Sequence, residues 1–343
     1  MSEVFSWRPG RIGVIGAGAM GVSLAAALGQ RAPVTIVCRN PARAAFLQRD
    51  GAIVRGKATG RPDVVARIAD LAEFGGVSAV FVATKTTAID AVAAELRPLL
   101  PTLGDQPGAP LVVSFQNGIE PGRQLMEQLG DPRVLRMVLN YGARLAADGA
   151  AEITLSRPPH AIGCLDPKFR PACREIASLL TAGGLEAAVV EDIEPLVWIK
   201  GIANAAMNPV AALTNASVGE VLDSPARAIV GRLLDEGIAV ATREGIDLGR
   251  EPAERLWSML ASARAHTPSM VEDIRAGRAS EVGQLNRQVI AHAGRLGMEA
   301  PTHELVTALI DAFDWRVFQR GEAAWGEAGV VRGYQTILPQ TTA

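Results

Sequence analysis

The sequence predicts an α/β protein with a Rossmann-type, doubly wound sheet in its first part and an all-helical second part. Three observations indicate this fold. β-Branched runs alternate with Ala- and Leu-rich stretches up to about residue 192, a glycine-rich loop follows the first run, and the strand pattern stops from about residue 193. For a chain of 343 residues we therefore expect two domains, residues 1–192 and 193–343.

The composition restricts the classes of function. Apolar residues make up 48% of the chain, and 34 Lys and Arg against 36 Asp and Glu leave a net charge of −2. Basic residues form no contiguous block and no apolar run reaches about 18 residues, so we expect neither a nucleic-acid partner nor a membrane span. The spacings of the three cysteines and four histidines fit no metal site or disulfide framework, which indicates a metal-free, reduced, cytoplasmic protein.

The elements of the first domain follow from its alternating strand and helix patterns. The predicted strands are residues 11–15, 34–38, 77–83, 111–115, 134–139, 152–155 and 161–164. The predicted helices are residues 20–30, 42–50, 89–100 and 122–129. After Tyr141 the runs are short and separated by turn signals such as Asp148-Gly149, so we expect an antiparallel extension of the same sheet.

Long helices are predicted for the second domain. They include residues 226–243, 253–264, 281–296 and 303–318. Their apolar faces would suit a dimer interface, so we expect a homodimer.

A glycine-rich loop joins the first predicted strand to the first helix. Its sequence is Gly16-Ala17-Gly18-Ala19-Met20-Gly21. Gly16 permits a tight turn, Gly18 lets a pyrophosphate approach the backbone, and Gly21 lets the helix pack closely on the strand. The order of strand, loop and helix therefore predicts dinucleotide binding. The alternative is a strand-to-helix turn that only packs tightly.

The end of the second strand predicts which dinucleotide is bound. An acidic residue there would bind the ribose 2′-hydroxyl of NAD, but this chain has Cys38-Arg39-Asn40. The Arg39 guanidinium could pair with a 2′-phosphate, which favours NADP. The alternative is that Arg39 is an ordinary solvated surface residue.

Two later strand ends carry polar residues, Lys85 and Asn117-Gly118. Ligands of an open parallel sheet lie outside the carboxyl ends of its strands, so both positions are candidates for cofactor contacts. Asn117-Gly118 is equally typical of a plain turn.

A polar stripe marks one helix of the second domain. Lys200, Asn204 and Asn208 are spaced four apart in an otherwise apolar segment, and Pro209 frees the carbonyl of Ala205. A buried ammonium and two buried amides need hydrogen-bond partners, so the stripe must face such partners or a water-filled cleft. Near a cofactor and partly desolvated, the lysine would have a lowered pKa and could donate a proton to a carbonyl oxygen. The alternative is a structural polar network between the domains.

Ser269 and Glu281 are further candidates. Ser269 with Glu272 fits the S-x-x-E capping pattern, and a helix start with a free hydroxyl also suits a carboxylate. Glu281 begins the next periodic segment and on its own is a typical first-turn acid.

These pieces together resemble the ketopantoate reductase family, the 2-dehydropantoate 2-reductases, from Gly16 to about residue 318. The matching pieces are the Gly16-to-Gly21 loop, Arg39, Lys85, Asn117-Gly118, Lys200-x3-Asn204-x3-Asn208-Pro209, and Ser269-Met270-x2-Asp273-Ile274-Arg275 followed by Glu281.

The resemblance implies a general-acid role for Lys200 and a catalytic position for Glu281, where cofactor ribose and substrate meet. It implies a substrate site lined by Asn117, Asn204, Asn208 and Ser269. It implies an NADP site formed by Arg39, Lys85, Asn117, Glu281 and the residues Gly16, Ala17, Gly18, Ala19, Met20 and Gly21. The expected reaction is NADPH-dependent reduction of a 2-oxo acid held between the two domains, with 2-dehydropantoate, a precursor of pantothenate, as the first candidate.

Two departures from the family pattern leave the substrate open. His266 and Val218 stand where members acting on ketopantoate usually have asparagines, so another 2-oxo acid or an imine is an alternative. A 3-hydroxyacid dehydrogenase is a second alternative, although its expected Asp-Ala-Pro-Val-Ser-Gly-Gly-like segment is replaced here by Asn140-Tyr-Gly-Ala143. The third is a non-enzymatic NADP-sensing protein, which would not need the lysine stripe.

Overall fold

The computed structural model describes residues 7–105 and 110–318, and its chain divides into two compact units. The first unit runs to Gln116 and continues from Glu120 to Leu196. The second contains Asn117–Ile119 and continues from Val197. Both outer ends of the expected domains, at residues 1 and 343, lie outside the described residues.

Twelve strands are found in the described part of the first unit, in two sheets. In chain order they are β1 Arg11–Ile15, β2 Val34–Val37, β3 Ala52–Val54, β4 Ala58–Gly60, β5 Asp63–Val65, β6 Val77–Val82, β7 Leu111–Ser114, β8 Val134–Val138, β9 Tyr141–Leu145, β10 Ala151–Ser156, β11 His160–Cys164 and β12 Ala187–Val189. The larger sheet has the order β12-β11-β8-β7-β6-β1-β2-β5. Its strands from β5 to β8 pair in parallel, with β1 at the point where the strand order reverses.

Helices cover both faces of the larger sheet. They are α1 Ala19–Leu28, α2 Pro41–Asp50, α3 Ile89–Leu96, α4 Leu100–Leu103, α5 Pro121–Leu129 and α6 Arg170–Ala182. The buried residues of α1 and α6 belong to one apolar core and those of α3 and α5 to another. All six residues of β6, Val77–Val82, are buried, and burial on both faces explains why five of them are apolar. The predicted fold class is confirmed for this part of the chain.

The prediction for the segment after Tyr141 was partly wrong. β11 extends the larger sheet by pairing antiparallel with β8. The hairpin of β9 and β10 instead joins β3 and β4 in a separate four-stranded sheet. This long-range pairing is decided by packing, since the smaller sheet lies against α1.

The second unit is helical within the described residues. Its helices are α7 Glu194–Thr214, α8 Val218–Asp223, α9 Arg227–Arg243, α10 Pro252–Ala261, α11 Ser269–Arg275, α12 Asn286–Arg295 and α13 Pro301–Phe318, of which α7 begins in the first unit. They share one apolar core around the buried side of α7. In the described chain α7 is also the one helix long and apolar enough to cross a membrane, but 78% of that window is buried inside the protein, as in a core helix.

The predicted helix over residues 281–296 begins later than expected. A short 3₁₀ turn covers Val282–Gln284 and α12 starts at Asn286. Glu281 therefore lies just before the turn, in an irregular backbone, and is not the first residue of a long helix. The predicted helix over residues 89–100 is likewise divided, into α3 and α4.

Candidate active site

The glycine loop has the geometry that a dinucleotide requires. Gly16 has φ +110°, and a Cβ there would lie 3.0 Å from backbone atoms of Ala83. A Cβ on Gly21 would lie 1.9 Å from the Gly16 carbonyl oxygen. A Cβ on Gly18 would meet nothing within 4 Å in the described chain. The fold thus explains Gly16 and Gly21, and at position 18 the lack of a side chain leaves room for the close approach of a ligand.

The start of α1 adds hydrogen-bond donors to this loop. Gly18 is the N-cap residue, and no side chain among the described residues caps the helix. The first turn, Ala19, Met20 and Gly21, contains no acid. Unpaired N–H groups at a helix start attract phosphate, so the loop fits a pyrophosphate.

Lys85 lies at the neighbouring strand end. It is exposed and directly precedes the short 3₁₀ turn Thr86–Ala88. β6, the strand before it, is paired in parallel with β1, and the Gly16 backbone packs on Ala83 and Thr84. The structure therefore brings Lys85 and the glycine loop to the same edge of the sheet.

Arg39, two residues after β2, is exposed, and its Nη2 pairs with Glu95 Oε1 on α3 at 2.5 Å. No local sequence pattern indicates this ion pair, because its members are 56 residues apart. Arg39 is thus not an ordinary solvated residue, and a phosphate that bound to it would compete with the Glu95 carboxylate.

A second guanidinium lies near the same strand end. Arg43 is in the first turn of α2, where its backbone N–H donates to the capping Asn40 side chain at 2.9 Å. Its Nη1 is buried and has no hydrogen-bond partner among the residues described. Burial raises the pKa of the Cys38 thiol, and the Arg43 charge opposes that rise, so the two side chains are close. Sequence reasoning missed Arg43; the signal was a second arginine four residues after Arg39.

The polar stripe lies on α7 as predicted by its spacing. Lys200 and Asn204 are half-buried, and Asn208 is 7% exposed. Pro209 lies inside the helix, and the carbonyl of Ala205, which proline leaves without its helical donor, accepts Asn286 Nδ2 at 2.9 Å. Asn286 is fully buried, so this bond fixes the segment after Glu281 against α7 beside Asn204.

The Asn117-Gly118 turn packs against the same helix. Gly118 has φ +105°, a conformation that favours glycine. A Cβ on Gly201 would come within 2.7 Å of Ile119 Cγ1, so the glycine after Lys200 permits a close approach. The turn that carries Asn117 therefore packs, through Ile119, on α7 at the residue after Lys200, within the second unit.

Ser269 and Glu281 occupy different environments. Ser269 is exposed and is the first residue of α11, after the N-cap Pro268, and no side-chain cap is formed within the described chain. The capping prediction for Ser269 was wrong, because the proline moves the helix start by one residue. Glu281 is 9% exposed.

Ser280, the residue before Glu281, is hydrogen-bonded to an acid that the sequence analysis did not identify. Asp314 Oδ2 on α13 accepts from Ser280 Oγ at 2.7 Å, and burial raises the pKa of Asp314. No sequence pattern signals this pairing, because the partners are 34 residues apart.

The two departures from the family pattern are neighbours in space. The backbone N–H of Val218, the first residue of α8, donates to the His266 carbonyl at 3.0 Å. A change of chemistry at both positions thus affects one small region.

No group of three or more His, Cys, Asp or Glu side chains suited to a metal occurs in the described part of the chain.

Comparison with protein families decides the assignment. Residues 12–166 match the model described as ketopantoate reductase PanE/ApbA, and residues 192–314 match the model of the C-terminal part of the same family. The chain belongs to the ketopantoate reductase family. As a member of this enzymatic family it is an oxidoreductase, which removes the non-enzymatic alternative.

Individual members of the ketopantoate reductase family and related structures show the extent of the likeness. A 2-dehydropantoate 2-reductase from Pyrococcus horikoshii is 33% identical over 208 residues, which are 59% of this chain and 66%, just under two thirds, of that protein. A family structure from Ralstonia eutropha JMP134 has a TM-score of 0.77 at 21% identity and covers 90% of this chain and 99% of its own. D-mandelate dehydrogenase with NADH and anilino(oxo)acetate has a TM-score of 0.77 at 19% identity, with the same coverage. At these identities the two structures show the shared fold.

Proposed function

We propose that this protein reduces a 2-oxo acid to the corresponding 2-hydroxy acid with NADPH, and that 2-dehydropantoate is the first substrate to test. The observation that carries the proposal is that two segments with candidate site residues pack against α7 within the second unit. The Asn117 turn packs at Gly201, and Asn286 fixes the segment after Glu281 at Ala205. Both contacts are made with α7, the helix that carries Lys200, and this supports the proposal that amide and carboxylate side chains lie close to this potential proton donor.

The preference for NADPH rests on the end of β2. The residues after this strand, Cys38-Arg39-Asn40, contain no acid that would bind a 2′-hydroxyl. Two arginines lie near the strand end instead, Arg39 and, in the first turn of α2, Arg43. The remaining cofactor contacts are proposed for Lys85, Asn117, Glu281 and the loop from Gly16 to Gly21.

The residues of the second unit have distinct roles in the proposed reaction. When bound, a reduced nicotinamide would supply the hydride that the reduction of the keto carbon needs. Lys200 donates a proton to the carbonyl oxygen and stabilises the negative charge that develops on it. The Ser269 hydroxyl donates a hydrogen bond to the substrate carboxylate, and the amides of Asn204 and Asn208 orient the carbonyl group. The carboxylate of Glu281 accepts hydrogen bonds from hydroxyl groups of substrate or ribose.

The experiment is the loss of NADPH absorbance with a panel of substrates. The panel contains 2-dehydropantoate, pyruvate, an aryl 2-oxo acid and a cyclic imine, because His266 and Val218 leave the substrate side chain open. Reduction of at least one 2-oxo acid with a 2-hydroxy acid product supports the proposal. Turnover of the imine alone, or of a 3-hydroxy acid in the oxidising direction, would contradict it.

We also propose that the protein is a cytoplasmic homodimer that binds neither nucleic acid nor membrane. Three large apolar side chains, Ile229, Leu305 and Leu309, are 42%, 61% and 48% exposed. All three line a cavity of about 350 Å³ formed by α7, α9 and α13. Burying such an apolar surface favours association. Sedimentation of the wild type as a dimer, with dissociation of Leu305→Asp, is the expected result; a monomeric wild type would refute it.

A further inference from the structure

We infer that Glu95 is a specificity-determining residue that limits the preference for NADPH over NADH by competing with the 2′-phosphate for Arg39. This inference rests on the proposed function. Its basis is the 2.5 Å ion pair between Arg39 Nη2 and Glu95 Oε1.

Both members of the pair come from elements of one core. Val37 at the end of β2 and Leu96 at the end of α3 are buried in the same apolar cluster. The backbones are therefore held, while the charged ends are free to move: the side chains of Arg39 and Glu95 are 62% and 44% exposed. Such an exposed pair is weak and easily exchanged for another partner.

A 2′-phosphate and the Glu95 carboxylate are rivals for the same guanidinium. The phosphate carries about two negative charges at neutral pH and binds arginine through two parallel hydrogen bonds. To do so it must take Arg39 from Glu95, and the displaced carboxylate then repels the phosphate nearby. NADH has no such phosphate, and its ribose hydroxyls can donate to a carboxylate.

Arg43 adds a second positive charge near this strand end, which attracts the phosphate despite the competition from Glu95. It lies four residues after Arg39, in the first turn of α2, and its charge acts on the Cys38 thiol at the end of β2. With two cations and one acid, this strand end discriminates between cofactors less strongly than two cations alone would.

The test measures Kd for NADPH and NADH by fluorescence titration of the full-length protein. Release of Arg39 from an exposed pair and loss of the carboxylate's repulsion are each worth up to about fivefold, so Glu95→Gln should tighten NADPH binding about three- to twentyfold and leave the Kd for NADH within about threefold. Glu95→Asp, which keeps the charge, should stay near the wild type. The gain should shrink at high salt, where exposed charges are screened.

The control is Glu175→Gln. Glu175 is an exposed acid on α6, whose buried residues belong to the other core, so its loss removes the same charge from a different face of the sheet. An equal gain in this control, or an unchanged ratio of Kd values in Glu95→Gln, would overturn the inference and leave the proposed function intact. A wild type that binds neither nucleotide would overturn both.

Discussion

Replacing Gly201 by alanine tests whether the Asn117 turn and Lys200 form one site. The added Cβ would lie 2.7 Å from Ile119 Cγ1, and Ile119 is 3% exposed. Carbon atoms pack at about 3.5–4.0 Å, so the turn must move by about 1 Å. Overpacking of this kind costs about 1–3 kcal/mol of unfolding free energy, and a displacement of about 1 Å at a reacting centre can lower turnover about 10²-fold.

The assay compares kcat and the thermal midpoint of Gly201→Ala with those of Gly294→Ala. Gly294 is in α12, where a Cβ would meet nothing within 4 Å of the described chain. Alanine there should raise the unfolding free energy by about 0.4–1 kcal/mol without changing kcat. If Gly201→Ala lost stability but kept wild-type kcat, the turn would pack on α7 without taking part in the reaction.

Two further predictions concern the first unit. Gly18→Ala should keep the wild-type thermal midpoint, because its Cβ meets no protein atom within 4 Å in the described residues, but should weaken NADPH binding about tenfold or more; unchanged Kd by titration would show that the loop does not hold the pyrophosphate. Burial raises the pKa of Tyr141 to about 12, so the folded protein keeps this proton after the unfolded chain has lost it near pH 10. The unfolding free energy of the wild type should therefore fall by about 2–3 kcal/mol relative to that of Tyr141→Phe between about pH 10 and 12. Urea unfolding at both pH values measures this, and the same difference between the two proteins at both would contradict it.

Local patterns predicted the elements that hold the candidate site. The glycine loop leads from β1 into the first turn of α1, and the spacing of Lys200, Asn204 and Asn208 placed them on one helix. These features depend on residues close together in the chain, for which backbone sterics and helical periodicity are sufficient.

Contacts between distant segments could not be predicted. The pairing of Arg39 with Glu95 and of Ser280 with Asp314 depends on how helices pack against the sheet or against one another. The same is true of β10, whose alternation indicated a strand but not that it would pair with β3. At Ser269 a local rule failed, because the preceding Pro268 already has the N-cap position.

The most direct test of the central claim is single-turnover kinetics of Lys200→Ala with saturating NADPH and the preferred 2-oxo acid. Loss of a positioned general acid should slow the reduction about 10²- to 10⁴-fold while the Kd for NADPH stays within about twofold. Lys57→Ala, which removes an exposed lysine from a turn between β3 and β4, serves as the control and should react at the wild-type rate. A Lys200→Ala rate within about threefold of the wild type would contradict the assignment of Lys200 as the proton donor.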